Sequence, residues 1–263
     1  MAIRNVPAGN GLTWITEAIQ LLLKNPAPFV LMGLVMAVAG IIPILGSLAL
    51  AILGPALYGG IAWAARAQAR GETARFEQIG QAFQQEGKIG PMLLLCLPGV
   101  VGGMLAGILV VIMVAIMMAG AGISAAADST AALWASLGVG GIFVLLVVVA
   151  LALVVFALTF FAIPDVMFAR NDAFAAIKQS LRASLANVGA LLLYAVVLGL
   201  AMLVLVVVLS MLSPILAQFL VSIALAPVFG ASMYLAWKDV YGETAAELAP
   251  PQADSPDAGG IVA

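Results

Sequence analysis

The chain has no histidine and one cysteine, and Lys, Arg, Asp and Glu make up only 8% of its 263 residues. Each shortage removes a class of chemistry. Without histidine there is no common general base, no Ser-His triad and no usual zinc site. Cys96 cannot form an internal disulfide and sits in an apolar run, where a small buried hydrophobe is expected rather than a reactive thiol. No Cys-x-x-Cys, phosphate-binding loop, G-x-S-x-G or N-x-[ST] motif occurs, and no acidic cluster stands in for one. The chain is therefore read as non-enzymatic and without a cofactor or bound metal. Net charge is −2 and no basic patch carries interleaved aromatics, which argues against nucleic acid as a partner. Arg4 is followed by no short apolar core with a small-residue cleavage site, so no signal peptide is expected.

What fills the chain is apolar. Hydrophobic residues make up 65% of it. An ordinary soluble domain carries about 25% charged residues, so a fold in water could not hide this much apolar surface. Lipid is the expected solvent. Six apolar segments of suitable length lie at about 27–45, 47–65, 91–119, 134–163, 188–212 and 214–237. The third and fourth exceed what a bilayer needs, and Pro98 is a natural kink in the third.

Charged amphipathic stretches precede the segments in pairs. In the first, Leu12, Ile15, Ile19 and Leu22 share a helical face, and Trp14 and Lys24 suit a helix in the headgroup layer. In the second, Phe76, Ile79 and Phe83 share a face. In the third, Phe174, Ile177, Leu181 and Leu185 do so, flanked by Lys178 and Arg182, with Asn171 or Asp172 as the cap. The expected fold is thus all-α: a polytopic bundle of six transmembrane helices in three hairpins, each preceded by an interfacial amphipathic helix. Residues 1–240 form the transmembrane domain, and residues 241–263, acidic and rich in Pro, Ala and Gly, are expected to be a disordered cytoplasmic tail. Pro55 and Pro227 occupy matching places in the second and sixth spans, an echo between the first unit and the third.

Orientation follows from the basic residues. With six spans, every Lys and Arg falls on one side, which the positive-inside rule makes cytoplasmic. Trp14, Trp63 and Trp237 are expected at the inner boundary and Trp134 at the outer one. No charge lies mid-span, which argues against ion-coupled transport. The polar groups within spans are Tyr58, Thr159, Tyr194, Ser210, Gln218 and Ser222, expected to bond between helices or to their own backbone. Gly99, Gly103 and Gly107 share one face of the third span, which invites close helix packing, either within the bundle or at a homodimer seam. Asp165, after Pro164, is expected to cap the next segment or stand in solvent rather than bind a cation.

Ala176 to Ser180 and Ser184 to Asn187 leading into a span, with Pro227 to Tyr234 and Lys238-Asp239 beyond, resemble a family of uncharacterised six-span bacterial inner-membrane proteins. They are also similar to the membrane region attached to some glycerophosphodiester phosphodiesterases. The soluble barrel and acidic metal site of those enzymes are absent here, so their activity is not implied. The resemblance implies a bundle in the bacterial inner membrane. The expected function is a non-catalytic membrane protein whose cytoplasmic-face helices engage anionic lipid or a protein partner. The alternative is a passive transporter or lipid-handling protein, which would need a cavity in the bundle.

Overall fold

A computed structural model describes residues 3–124, 130–169 and 172–242. The expectations for Arg170, Asn171, the tail from 243 and the side chain of Trp134 lie outside the described residues. Among the described residues the fold is helical, without strands. It runs α1 (Asn10–Lys24), α2 (Pro26–Ile41), α3 (Leu45–Ala69), a 3-10 turn (Phe76–Gly80), α4 (Gln81–Gln84), α5 (Ile89–Leu94), α6 (Cys96–Ser124), α7 (Thr130–Thr159), α8 (Ala162–Ala169), α9 (Ala173–Ala186), α10 (Val188–Ser210) and α11 (Pro214–Tyr241). Five helical stretches are long and apolar enough to cross a membrane, or six if α1 and α2, bent by 111° at Asn25-Pro26, count as one. These are the features of a multi-pass membrane protein.

Prolines set the breaks. A proline has no N–H and its ring crowds the carbonyl four residues earlier. Pro98 acts on Leu94, and the expected third span divides there into α5 and α6. Pro164 acts on Phe160, and the fourth divides into α7 and α8. Pro55 and Pro227 stay inside α3 and α11. The carbonyl of Ile223, which Pro227 deprives of its helical partner, faces Gly33 of α2, where a Cβ would come within 2.5 Å of it. Only a glycine lets the two backbones meet there.

α2 is the shortest membrane candidate. Its 16 residues extend about 24 Å, less than a hydrocarbon core of about 30 Å. The α2–α3 turn is tight because Leu45 N donates to Pro43 O across a γ-turn centred on Ile44, whose φ is 61°. That is a rare and strained place for a β-branched residue.

The units around α1–α3 and α9–α11 share one order: an amphipathic helix, an asparagine, an apolar helix, an uncharged turn, and an apolar helix with an internal proline. The middle unit departs from it. In place of a second surface helix the chain makes the 3-10 turn and α4, with Ile79 buried but Phe76 and Phe83 exposed. α11 packs on α2, α3, α1 and α10. The α6–α7 hairpin stands apart. α7 packs on α6 and α9 but makes no broad contact with α10 or α11.

Candidate functional site

The basic end of the bundle is held by a dense aromatic and polar layer. Trp14 is buried, with its ring centre 6.3 Å from Tyr194, 6.4 Å from Phe160 and 6.5 Å from Phe161. Its Nε1 donates to Asp239 Oδ2 at 3.0 Å, and Asn10 Nδ2 donates to the same oxygen at 2.7 Å. Trp14 is therefore a core residue and not, as expected from the sequence, a headgroup anchor. Trp237 is also fully buried, and Trp63 is half-buried and stacked on Phe168. An amphipathic ring suits a protein interior with one polar partner as well as a headgroup layer. α1 accordingly buries Trp14, Ala18 and Leu21 together with Ile15 and Leu22 of the expected apolar face, while Leu12 and Ile19 of that face are exposed.

Charges belong to this layer too. Asp165 is fully buried in the first turn of α8, so of the two positions expected for it, capping or solvent, the solvated one is excluded. Lys88 is buried and its Nζ donates to Val166 O at 2.6 Å. The Arg66 guanidinium lies 4.7 Å from the centre of the Phe168 ring, a cation–π arrangement. Tyr241, placed in the tail by the sequence, is buried at the end of α11, and its hydroxyl donates to Gln179 O at 3.3 Å. Beside the layer, Arg4, Glu17, Lys238 and Asp239 rim an open polar pocket of about 420 Å³. Among the described residues no group of three or more Cys, Asp or Glu is placed to hold a metal ion.

α9 lies against this layer. Asp172 caps it, its Oδ1 accepting from Ala175 N at 2.8 Å. The face turned to the protein is small: Ala173, Ala176, Ser180, Ala183 and Ser184 are buried. The large apolar residues point away, with Phe174 and Leu185 each 67% exposed and Leu181 at the margin of exposure. Lys178 and Arg182 are exposed beside them and Lys24 is exposed at the end of α1; these three form no ion pair among the described residues.

Ser180 explains how α9 is fixed. In an unbroken helix Phe161 N would donate to Ala157 O. At the α7–α8 break the Ser180 hydroxyl stands between them, accepting from Phe161 N at 3.2 Å and donating to Ala157 O at 2.7 Å. Ser184 Oγ donates to the same carbonyl at 3.0 Å. Asn187, after α9, accepts from Val6 N at 2.7 Å and donates to Arg4 O at 3.1 Å. Ser180, Ser184 and Asn187 lie in the stretches that carry the family resemblance, which assigns them no anchoring role, and small residues at 173, 176, 180 and 183 repeat at three and four. That stripe marks a face able to approach another backbone closely.

The glycine expectation is corrected for contacts within the chain. A Cβ at Gly99, Gly103 or Gly107 would meet nothing within 4 Å. α6 instead meets α7 at Gly102, where a Cβ would stand 2.5 Å from Val155 Cγ2. Close backbone approaches occur elsewhere: Gly11 lies on Ala190 O of α10, and Gly60 on Ile79 O of the 3-10 turn.

The gap between α7 and the α10–α11 pair is the second site. It is an open cleft of about 680 Å³ with a mainly apolar lining, to which Met36 of α2 and Leu50 and Tyr58 of α3 also contribute. Four of the polar span residues converge on it: Tyr58, Tyr194, Gln218 and Ser222. Thr159 instead turns back on its own helix, donating to Val155 O at 2.9 Å, and Ser210 lies outside the lining. Phe156, Tyr194 and Phe229 close the cleft toward the basic end, with Phe156 and Tyr194 stacked at 6.0 Å.

The chain matches no protein-family model, no curated sequence and no solved structure.

Proposed function

We infer that this chain is a non-catalytic protein of the bacterial inner membrane whose basic-end helices engage anionic lipid. It crosses the membrane six times in three hairpins, with α2, entered from α1 across the bend at Asn25-Pro26, as the first crossing and both termini cytoplasmic. The reading rests on the face that α9 leaves uncovered. A helix that only braced the bundle would bury its largest apolar side chains, since burial of each is worth about 1.5–3 kcal/mol. α9 buries alanines and serines and leaves Phe174, Leu181 and Leu185 outward, with Lys178 and Arg182 beside them. Apolar residues flanked by exposed cations fit a headgroup layer, where each cation adds about 1 kcal/mol near an anionic leaflet.

The test places a fluorophore at Phe174→Cys or Leu185→Cys, in a Cys96→Ala background, with the full chain in nanodiscs. Nitroxides on the lipid chains should quench it. Quenching should weaken when anionic lipid is replaced by zwitterionic lipid, and again in Lys178→Glu/Arg182→Glu. Absence of quenching in every lipid would leave α9 facing water and remove the basis of the reading.

The cleft favours the lipid-handling alternative over passage of a polar solute. Its walls are mainly apolar, and its few polar groups do not line a continuous route.

A further inference from the structure

We propose that the cleft between α7 and the α10–α11 pair holds one acyl chain of a phospholipid from the leaflet opposite the basic end, with the polar neck of that lipid at Gln218 and Ser222. This site is separate from α9, and the inference does not depend on what α9 binds.

Four observations converge on that occupant. The cleft lies among helices long and apolar enough to cross a membrane, at a place where α7 makes no broad contact with α10 or α11, and this gap would admit hydrocarbon. Its volume of about 680 Å³ lies in the range of small-molecule sites, roughly 300–1,000 Å³, and its walls are mainly Leu, Val, Met and Ala. Tyr58 and Tyr194 lie at the aromatic floor, and Gln218 and Ser222 lie toward the other end. Gln218 Nε2 makes a long 3.4 Å bond to Ser222 Oγ, the only hydrogen bond of that amide among the described residues. An amide so placed within a span gains from a further partner, and a lipid ester carbonyl or glycerol hydroxyl would supply one. The length also agrees. Gln218 and Phe229 stand eleven residues apart on α11, about 16 Å of helix, and one leaflet's hydrocarbon is about 15 Å deep. A chain entering beside Gln218 ends on the aromatic floor of Phe156, Tyr194 and Phe229.

Gly199 supplies the decisive variant. It lines the cleft, and a Cβ there meets nothing within 4 Å, so the side chain of Gly199→Trp starts in open space and is expected to fill the cleft. The full chain is reconstituted in nanodiscs containing phosphatidylglycerol with a photoactivatable diazirine near the end of one acyl chain. Adducts are mapped by mass spectrometry. Leu198, Met202 and Leu225 in the cleft should be labelled several-fold more than Val111 and Ile112, exposed on α6. Gly199→Trp should abolish that excess and leave labelling of Val111 unchanged. Gln218→Leu, which keeps the volume of the cleft and serves if the tryptophan variant misfolds, should lower it several-fold. Equal labelling of cleft and α6 in the native chain would mean ordinary solvation by lipid and overturn the proposal. So would an excess that survives both variants, or cross-links from the cleft to a second copy of the chain.

Discussion

Single atoms decide much at the α7–α8 break. Ser180 supplies one oxygen that serves both orphaned backbone groups, Phe161 N–H and Ala157 C=O. Ser180→Ala leaves a buried N–H without a partner and should destabilise the protein by about 1–3 kcal/mol in reversible unfolding in mixed micelles. Ser184→Ala should lose less, because Ala157 O keeps its bond from Ser180. Gly33→Ala should also be destabilising, since the added methyl enters the space of Ile223 O, and backbone atoms there have no free rotamer to yield. Ile44→Gly points the other way. Ile44 is 81% exposed, so little packing is lost, and relief of the γ-turn at φ 61° should raise stability by about 1 kcal/mol, read as a higher unfolding midpoint.

At the level of elements, α6 separates two kinds of glycine. Gly102→Leu should disturb the α6–α7 hairpin because Val155 already occupies that space. Gly103→Leu should leave the monomer's unfolding unchanged, because Gly103 is exposed and a Cβ there meets nothing within 4 Å. If that face is a homodimer seam, Gly103→Leu will shift a dimer to a monomer in light scattering without lowering monomer stability. The segments of the hairpins were legible from their length and hydropathy, and α10 and α11 begin at the expected residues, Val188 and Pro214. The direction in which α1 and α9 turn was not. Both carry apolar side chains around much of their circumference, so periodicity names candidate faces and not the neighbour each one meets. Small residues won the protein side in α9 because they let its backbone reach the gap at Ala157.

Across the whole molecule, the basic residues make a topology prediction. Reporter fusions after Gly71, after Arg182 and after Gly242 should read cytoplasmic, and fusions at Gly46 and Ser213 external. An external signal after Arg182 would break the six-crossing arrangement. The same scale shows what the chain itself dictated. Its apolar content and span lengths required a helical protein in lipid, because backbone groups in hydrocarbon must be satisfied locally. Its prolines placed both helix breaks, because the lost N–H and the ring clash act within four residues. Local rules of this kind can be read from residue types and spacing. The burial of Trp14 on Asp239, the Ser180 bridge and the meeting of Tyr58, Tyr194, Gln218 and Ser222 each join residues far apart in the chain. No local pattern encodes which of several similar apolar helices become neighbours, since lipid solvates them all about equally. Packing of small residues and a handful of hydrogen bonds chose among them, and only the assembled bundle shows that α7 makes no broad contact with α10 or α11 and that a mainly apolar cleft lies between them.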